Sequence, residues 1–194
     1  MDSATLPDAQ AASQARKRLF TVDEFLTMCE AGVFKEGEHP ELWDGEIIMA
    51  PSEGGAHFNV KAALNELLTL HRPAGLRVGP TGPLKMGERW LLEPDVFWFE
   101  PRGPTDIPEP AQMKLVIEVA VTSLKRDRAE KALRYAQAGI EDYWVVDAER
   151  LITWAHRKPS ADGYGDVREI APNESLSPLA APTLSLRMNE LFPD

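Results

Sequence analysis

The chain has one cysteine, Cys29, among 194 residues. A single thiol closes no intramolecular disulfide and builds no thiolate cage for zinc, which excludes a disulfide-stapled scaffold and a zinc ribbon. No apolar run approaches the ~20 residues that span a bilayer. The first 18 residues contain no apolar stretch of the signal-peptide kind. The expected compartment is therefore the cytoplasm, with no membrane partner. Positive charge is also scarce: 21 Lys and Arg stand against 31 Asp and Glu, a net charge of −10. Such a balance excludes a protein that coats DNA or an anionic membrane by bulk attraction, while leaving room for a local basic groove. The chain lacks a G-x-S-x-G elbow, a Walker A loop, a G-x-G-x-x-G fingerprint and an H-E-x-x-H pair. His39, His71 and His156 share no metal-ligand spacing.

What is present is an ordinary globular composition, 43% apolar and 27% charged, enough to bury a core in one domain. Residues 1–18, rich in Ala, Ser and Gln and ending in Arg16-Lys17-Arg18, read as a disordered N-terminal tail, and 19–194 as the folded domain. Thr21-Val22-Asp23-Glu24 is a capping-box pattern that opens a helix, with Phe25, Leu26, Met28 and Cys29 as its apolar stripe and Gly32 at its end. Cys29 is expected in the core. Asp44-Gly45 between apolar runs predicts a tight hairpin. A helix is predicted from about His57 to Leu70, with Val60, Leu64, Leu67 and Leu68 on one face. Val96 to Phe99 reads as a strand. Leu115 to Val121 is a continuous apolar run broken only by Glu118, the pattern of a central strand covered on both faces. A helix from Asp127 to Ala138 follows, with Leu133, Ala129, Ala136 and Ala132 as its buried arc. Tyr143 to Val146 and Leu151 to His156 are paired strands, and Gly163-Tyr164-Gly165 marks a further hairpin tip.

Glu118 carries the chemical signal. A carboxylate inside a buried strand is costly unless it is paired or bound to a cation. Asp95, set by Pro94 at the entry to another apolar strand, is similar. Two readings fit: a divalent cation held by both acids, with water and phosphate completing its shell, or a buried ion pair without metal. The helix after the Glu118 strand carries Lys125, Arg126, Arg128, Lys131 and Arg134 against Asp127 and Glu130, a local charge of +3. That patch suits an anionic phosphate substrate. Lys131 falls at the edge of the buried arc beside Tyr135, where snorkelling to solvent is favoured over turning inward. Glu41 reads as an exposed strand-end charge and His57 as a solvated or capping imidazole. Asp44, Gly45 and Asp127 fit turn or helix-start duty.

Taken in order, Phe20 to Phe25, Glu41-Leu42-Trp43-Asp44-Gly45-Glu46, His57, Pro94-Asp95, Val116-Ile117-Glu118-Val119, Lys131, Tyr135 to Ile140 and Tyr143 to Asp147 form a recognisable set. Across roughly 19–192 the chain resembles the Uma-two family of restriction endonucleases, within the PD-(D/E)XK nuclease superfamily. The resemblance implies an α/β fold: a restriction-endonuclease-like central mixed β-sheet flanked by helices, with an added N-terminal helix and C-terminal β-hairpins. It also implies a metal-dependent phosphodiesterase acting on DNA, with Mg²⁺ or Mn²⁺ as cofactor. By position, Asp95 is the motif aspartate, Glu118 the motif acid, Glu41 an additional acid and third metal ligand, and His57 the family's histidine. Lys131 takes the role of the superfamily's lysine, whose usual place two residues after the acid is Ala120 here. Ala120-Val121-Thr122-Ser123 stands where the family more usually has Leu-Ser-Pro-Ser. Lys125, Arg128, Arg134 and Tyr135 are the expected substrate contacts, and a homodimer would supply two sites for double-strand cleavage. A non-cutting binding module and a metal hydrolase of a small phosphorylated substrate are the competing functions.

Overall fold

The computed structural model describes residues 17–50 and 53–192. Most of the expected tail, residues 1–16, lies outside the described residues. The chain begins with helix α1 (Val22–Glu30), whose capping box forms as the sequence predicts: Thr21 accepts from the Glu24 amide, and Glu24 accepts from the Thr21 amide. Val22 and Phe25 are its buried residues. Cys29, expected in the core, is exposed, because the buried face of α1 is narrower than its apolar stripe. The hairpin β1 (His39–Trp43) and β2 (Glu46–Ala50) turns at Asp44 and Gly45, both with left-handed φ (47° and 81°) as a type I′ turn requires.

Helix α2 (Gly55–Leu70) is followed by β3 (Arg77–Pro80), β4 (Leu84–Lys85), β5 (Leu91–Leu92), β6 (Val96–Phe99) and β7 (Met113–Ala120). A helical segment spans 124–137. It starts as α3 (Leu124–Arg126), widens into a π-turn over Asp127–Lys131 and ends as α4 (Ala132–Gln137). Then come β8 (Asp142–Asp147), β9 (Thr153–Ser160) and β10 (Gly163–Ile170), the last two joined at Ala161-Asp162 rather than at Gly163 to Gly165. The central sheet has the order β10-β9-β8-β7-β6-β3, and a smaller sheet has the order β2-β1-β5-β4. Only β7 and β8 run parallel in the central sheet, so it is mixed. A helical crossover between β7 and β8 is what a parallel pair requires.

The continuous apolarity of β7 has its predicted cause. Leu115, Ile117 and Val119 pack with Val60, Leu64 and Leu68 of α2 on one face. Val116 and Ala120 pack with Ala132 and Tyr135 on the other. The two-residue period of the strand therefore sends Glu118 to the side of the 124–137 helix. On that helix the buried residues are Asp127, Lys131, Ala132, Tyr135 and Ala136, whereas Leu133 and Ala129, both expected in the buried arc, are exposed, Leu133 by 42%. Polar groups, not the most apolar residue, decide which face of this helix turns to the sheet.

Gly79 pairs with Phe97 across β3 and β6, and a Cβ there would fall on the Phe97 ring. Phe97 is buried among core residues of the central sheet. Gly79→Ala is expected to destabilise the fold by about 1–3 kcal/mol through overpacking, measured as a lower midpoint in urea with an unchanged slope.

Candidate active site

Four elements bring carboxylates to one cavity of about 420 Å³. Glu118 comes from the middle of β7, Asp95 from the residue before β6, Glu41 from β1 of the smaller sheet and Asp127 from the π-turn. All four are buried. Lys131 stands among them, 4% exposed, and its Nζ donates to Glu118 Oε1 and Glu41 Oε1, both at 3.0 Å. The lysine has turned inward rather than snorkelled, because two buried acids from different sheets converge on its ammonium. Burial works against that charge, but Glu118, Glu41 and Asp127 outweigh it and hold Lys131 protonated beyond its ordinary range. Burial pushes the Glu118 carboxyl well up; the charges of Asp95, Asp127 and Glu41 add to this, while Lys131 opposes it. Asp127 is pushed up in the same way, first by burial.

Each acid is oriented by neighbours. Glu118 Oε1 also accepts from the Tyr135 hydroxyl at 2.7 Å. Tyr135, expected among the substrate contacts, is fully buried, and burial followed by the Glu118 charge keeps its hydroxyl protonated as a donor. It reaches Glu118 and not the surface. Glu41, expected to be exposed, is 2% exposed. Both its oxygens are engaged, Oε1 by the Glu93 amide as well as Lys131, and Oε2 by Trp43 Nε1, each at 3.0 Å. Asp95 Oδ2 accepts from the Val119 amide at 2.8 Å, which locks the end of β6 against β7. His57, in the first turn of α2, places Nε2 3.3 Å from Asp95 Oδ2 and Nδ1 3.7 Å from Glu53 Oε2. Burial lowers the affinity of His57 for a proton, but Asp95 and Glu53 more than offset this and raise it.

Glu53 was not among the sequence candidates. It lies four residues before His57 but outside α2, whose N-cap is Gly54, so the turn into the helix and not helical periodicity brings the two together, and nothing in the sequence set it apart from the other acids. Glu53, His57 and Asp95 offer one donor atom each within 4.8 Å of one another, a group that could hold a metal ion. The donor chemistry fits a hard divalent cation: oxygen ligands dominate, and carboxylates outnumber the two lysines, Lys131 and the Lys61 that pairs with Glu53. Three buried polar atoms on the cavity wall, His57 Nδ1, Arg126 Nε and Asp127 Oδ1, have no hydrogen-bond partner among the described residues. Arg126 Nε and Asp127 Oδ1 face each other at 3.7 Å, and His57 Nδ1 faces Glu53 at the same distance, so charge attraction holds these atoms where no hydrogen bond does.

The basic candidates lie elsewhere. Lys125 and Arg128 line a second, more open cavity between the 124–137 helix and the β9–β10 hairpin, beside His156 and Tyr164. The Arg128 guanidinium lies 4.0 Å from the centre of the Trp154 ring and that of Arg134 lies 3.7 Å from the centre of the Trp90 ring. Of the helix's arginines, it is Arg126, not singled out from the sequence, that lines the acidic cavity. Among the described residues no helix is long and apolar enough to cross a membrane.

Residues 22–189 match the model of the Uma2 family, described as "Putative restriction endonuclease". None of the curated proteins matches the chain. Among solved structures, the fold is similar to that of a protein from Anabaena variabilis described as "a putative nuclease belonging to DUF820", with a TM-score of 0.71 and 19% identity, covering 89% of this chain and 97% of that one.

Proposed function

This chain belongs to the Uma2 family, and we propose that it is a divalent-metal-dependent endonuclease that hydrolyses phosphodiester bonds in DNA. The observation that carries the reading is Lys131, buried between Glu118 and Glu41 at 3.0 Å from each, in a cavity shared with Asp95. Asp95 and Glu118 would hold the cation, Mg²⁺ or Mn²⁺, with Glu41 as a further acid; Asp95 also belongs with Glu53 and His57 to the group whose donor atoms lie within 4.8 Å of one another. When bound, the cation polarises a phosphoryl oxygen and makes its water acidic. The chain's own groups do the rest. The Val119 amide and His57 orient Asp95, and Tyr135 orients Glu118. Lys131 supplies a fixed positive charge near the attacked phosphate, where preorganised charge is most effective. Lys125, Arg128 and Arg134 contact the nucleic acid backbone outside the cavity, and a homodimer supplies the second site for a double-strand cut.

The test is cleavage of supercoiled and linear DNA in Mg²⁺ or Mn²⁺ against EDTA. Metal-dependent nicking is expected, and Asp95→Ala should lower the rate by about 100-fold or more and weaken Mn²⁺ binding in calorimetry. Cleavage in EDTA, or equal metal affinity in the variant, would overturn the reading. The cavity, about 420 Å³, is also of small-ligand size and favours as a second reading a small phosphorylated substrate. Metal-dependent hydrolysis of a chromogenic phosphodiester with DNA left intact would select it.

A further inference from the structure

Arg126 and Arg134 sit eight residues apart on the 124–137 helix, on either side of its π-turn. A pair of tryptophans from outside the helix connects them. The Arg126 guanidinium lies 5.5 Å from the centre of the Trp43 ring, Trp43 lies 5.7 Å from Trp90 at an interplanar angle of 41°, and Arg134 lies 3.7 Å from the centre of the Trp90 ring. The row is tied to the acidic cavity at its inner end. Arg126 lines that cavity, and Trp43 Nε1 donates to Glu41 Oε2 at 3.0 Å. The inner arginine faces Asp127, Nε to Oδ1 at 3.7 Å, whereas among the described residues Arg134 makes no ion pair within 4 Å and feels only the more distant Asp44 charge. A guanidinium laid on an indole keeps its planar fork fixed and its N–H edges free, which suits bidentate contact with phosphate. Trp90 is already engaged by Arg134 and Trp43, so its ring serves the arginine and does not offer a platform for a base.

We propose that Arg126, Trp43, Trp90 and Arg134 form a track for the phosphate backbone of a nucleic acid strand leaving the cavity, with Arg126 and Arg134 as phosphate contacts and Trp43 and Trp90 as positioning residues. The inference rests on the nuclease reading and deepens it. The contacts are to phosphates and carry no sequence preference. The full chain and its variants are tested by fluorescence anisotropy with labelled single-stranded and duplex DNA, in EDTA and again in Ca²⁺, across a salt series. Arg134→Ala should weaken binding about tenfold at about 50 mM salt and reduce the salt slope by about 0.7–0.9. Trp90→Leu and Arg134→Lys keep the charge, so the slope should hold while affinity falls about three- to fivefold. Losses confined to Arg134→Ala would overturn the positioning role of Trp90. If the wild type binds and cuts DNA but all three variants bind within about twofold of it, the track is wrong and Arg134 is no backbone contact, while the metal-dependent nuclease reading stands. A wild type that neither binds nor cuts DNA removes both.

Discussion

Lys131→Ala is expected to slow DNA cleavage by about 100-fold or more while leaving substrate affinity nearly unchanged. In the proposed role its ammonium acts mainly in the transition state, and the loss of one preorganised donor has that scale. The same substitution removes the one cation shared by Glu41 and Glu118. Breaking a buried ion cluster on one side costs about 3–5 kcal/mol, so the variant should also melt at a lower temperature. Protonation of Glu118, whose carboxyl burial already pushes up, softens that loss. Two measurements separate the effects: single-turnover cleavage at saturating DNA, well below the melting temperature, and thermal melting in EDTA. A slow but folded and DNA-binding variant is the expected result. A variant that melts early yet cuts at the full rate while folded would make Lys131 structural only. A variant that cuts at the full rate but binds weakly, like Arg134→Ala, would make it a simple phosphate contact.

Glu118→Gln should abolish activity to a similar or greater degree with little change in folding. The amide keeps an oxygen that accepts from Tyr135 and Lys131, both of which donate to Oε1 now. Lys131 retains Glu41 as its counter-ion. Burial raises the Glu118 carboxyl while Lys131 opposes the rise, so an amide of the same shape removes a charge that burial penalises and keeps the hydrogen bonds. Melting in EDTA should therefore match the wild type within about 1 kcal/mol, or exceed it. The contrast appears when metal is added. The wild type should gain stability with Mg²⁺ or Mn²⁺, by about 2.7 kcal/mol at a hundredfold excess over the dissociation constant, and the variant should gain far less. Metal-independent destabilisation with cleavage intact would return Glu118 to the role of an ion-pair partner.

Much of the fold was legible because it depends on local chemistry. The Thr21–Glu24 capping box, the Asp44-Gly45 turn and the apolar run of β7 each name their structure within a few residues. Glu118 stood out for the same reason, as a charge inside a strand that had to be covered on both faces. Residues 125–134 were harder to read. Periodicity weighs apolarity, so it turned Leu133 inward and left Lys131 at the edge. It had no access to the carboxylates that reach the helix from β1 and β7. Glu41 and Asp127 looked like surface and turn residues because a sequence shows a charge but not its neighbours. Tyr135 was expected to meet substrate, yet its hydroxyl serves Glu118.

By itself, then, the sequence determined the class of fold, the central strand, the acidic residue that cannot be buried without a partner, and the family to which the chain belongs. Only the tertiary structure decided what that partner is. Glu41 and Lys131 are 90 residues apart, and Glu118 and Lys131 are 13 apart. They meet because the smaller sheet, the central strand and the π-turn pack around one cavity. Burial there removes water from every charge at once, so each group's protonation and orientation are set by the others. That mutual dependence acts through space, and no local stretch of the chain contains it.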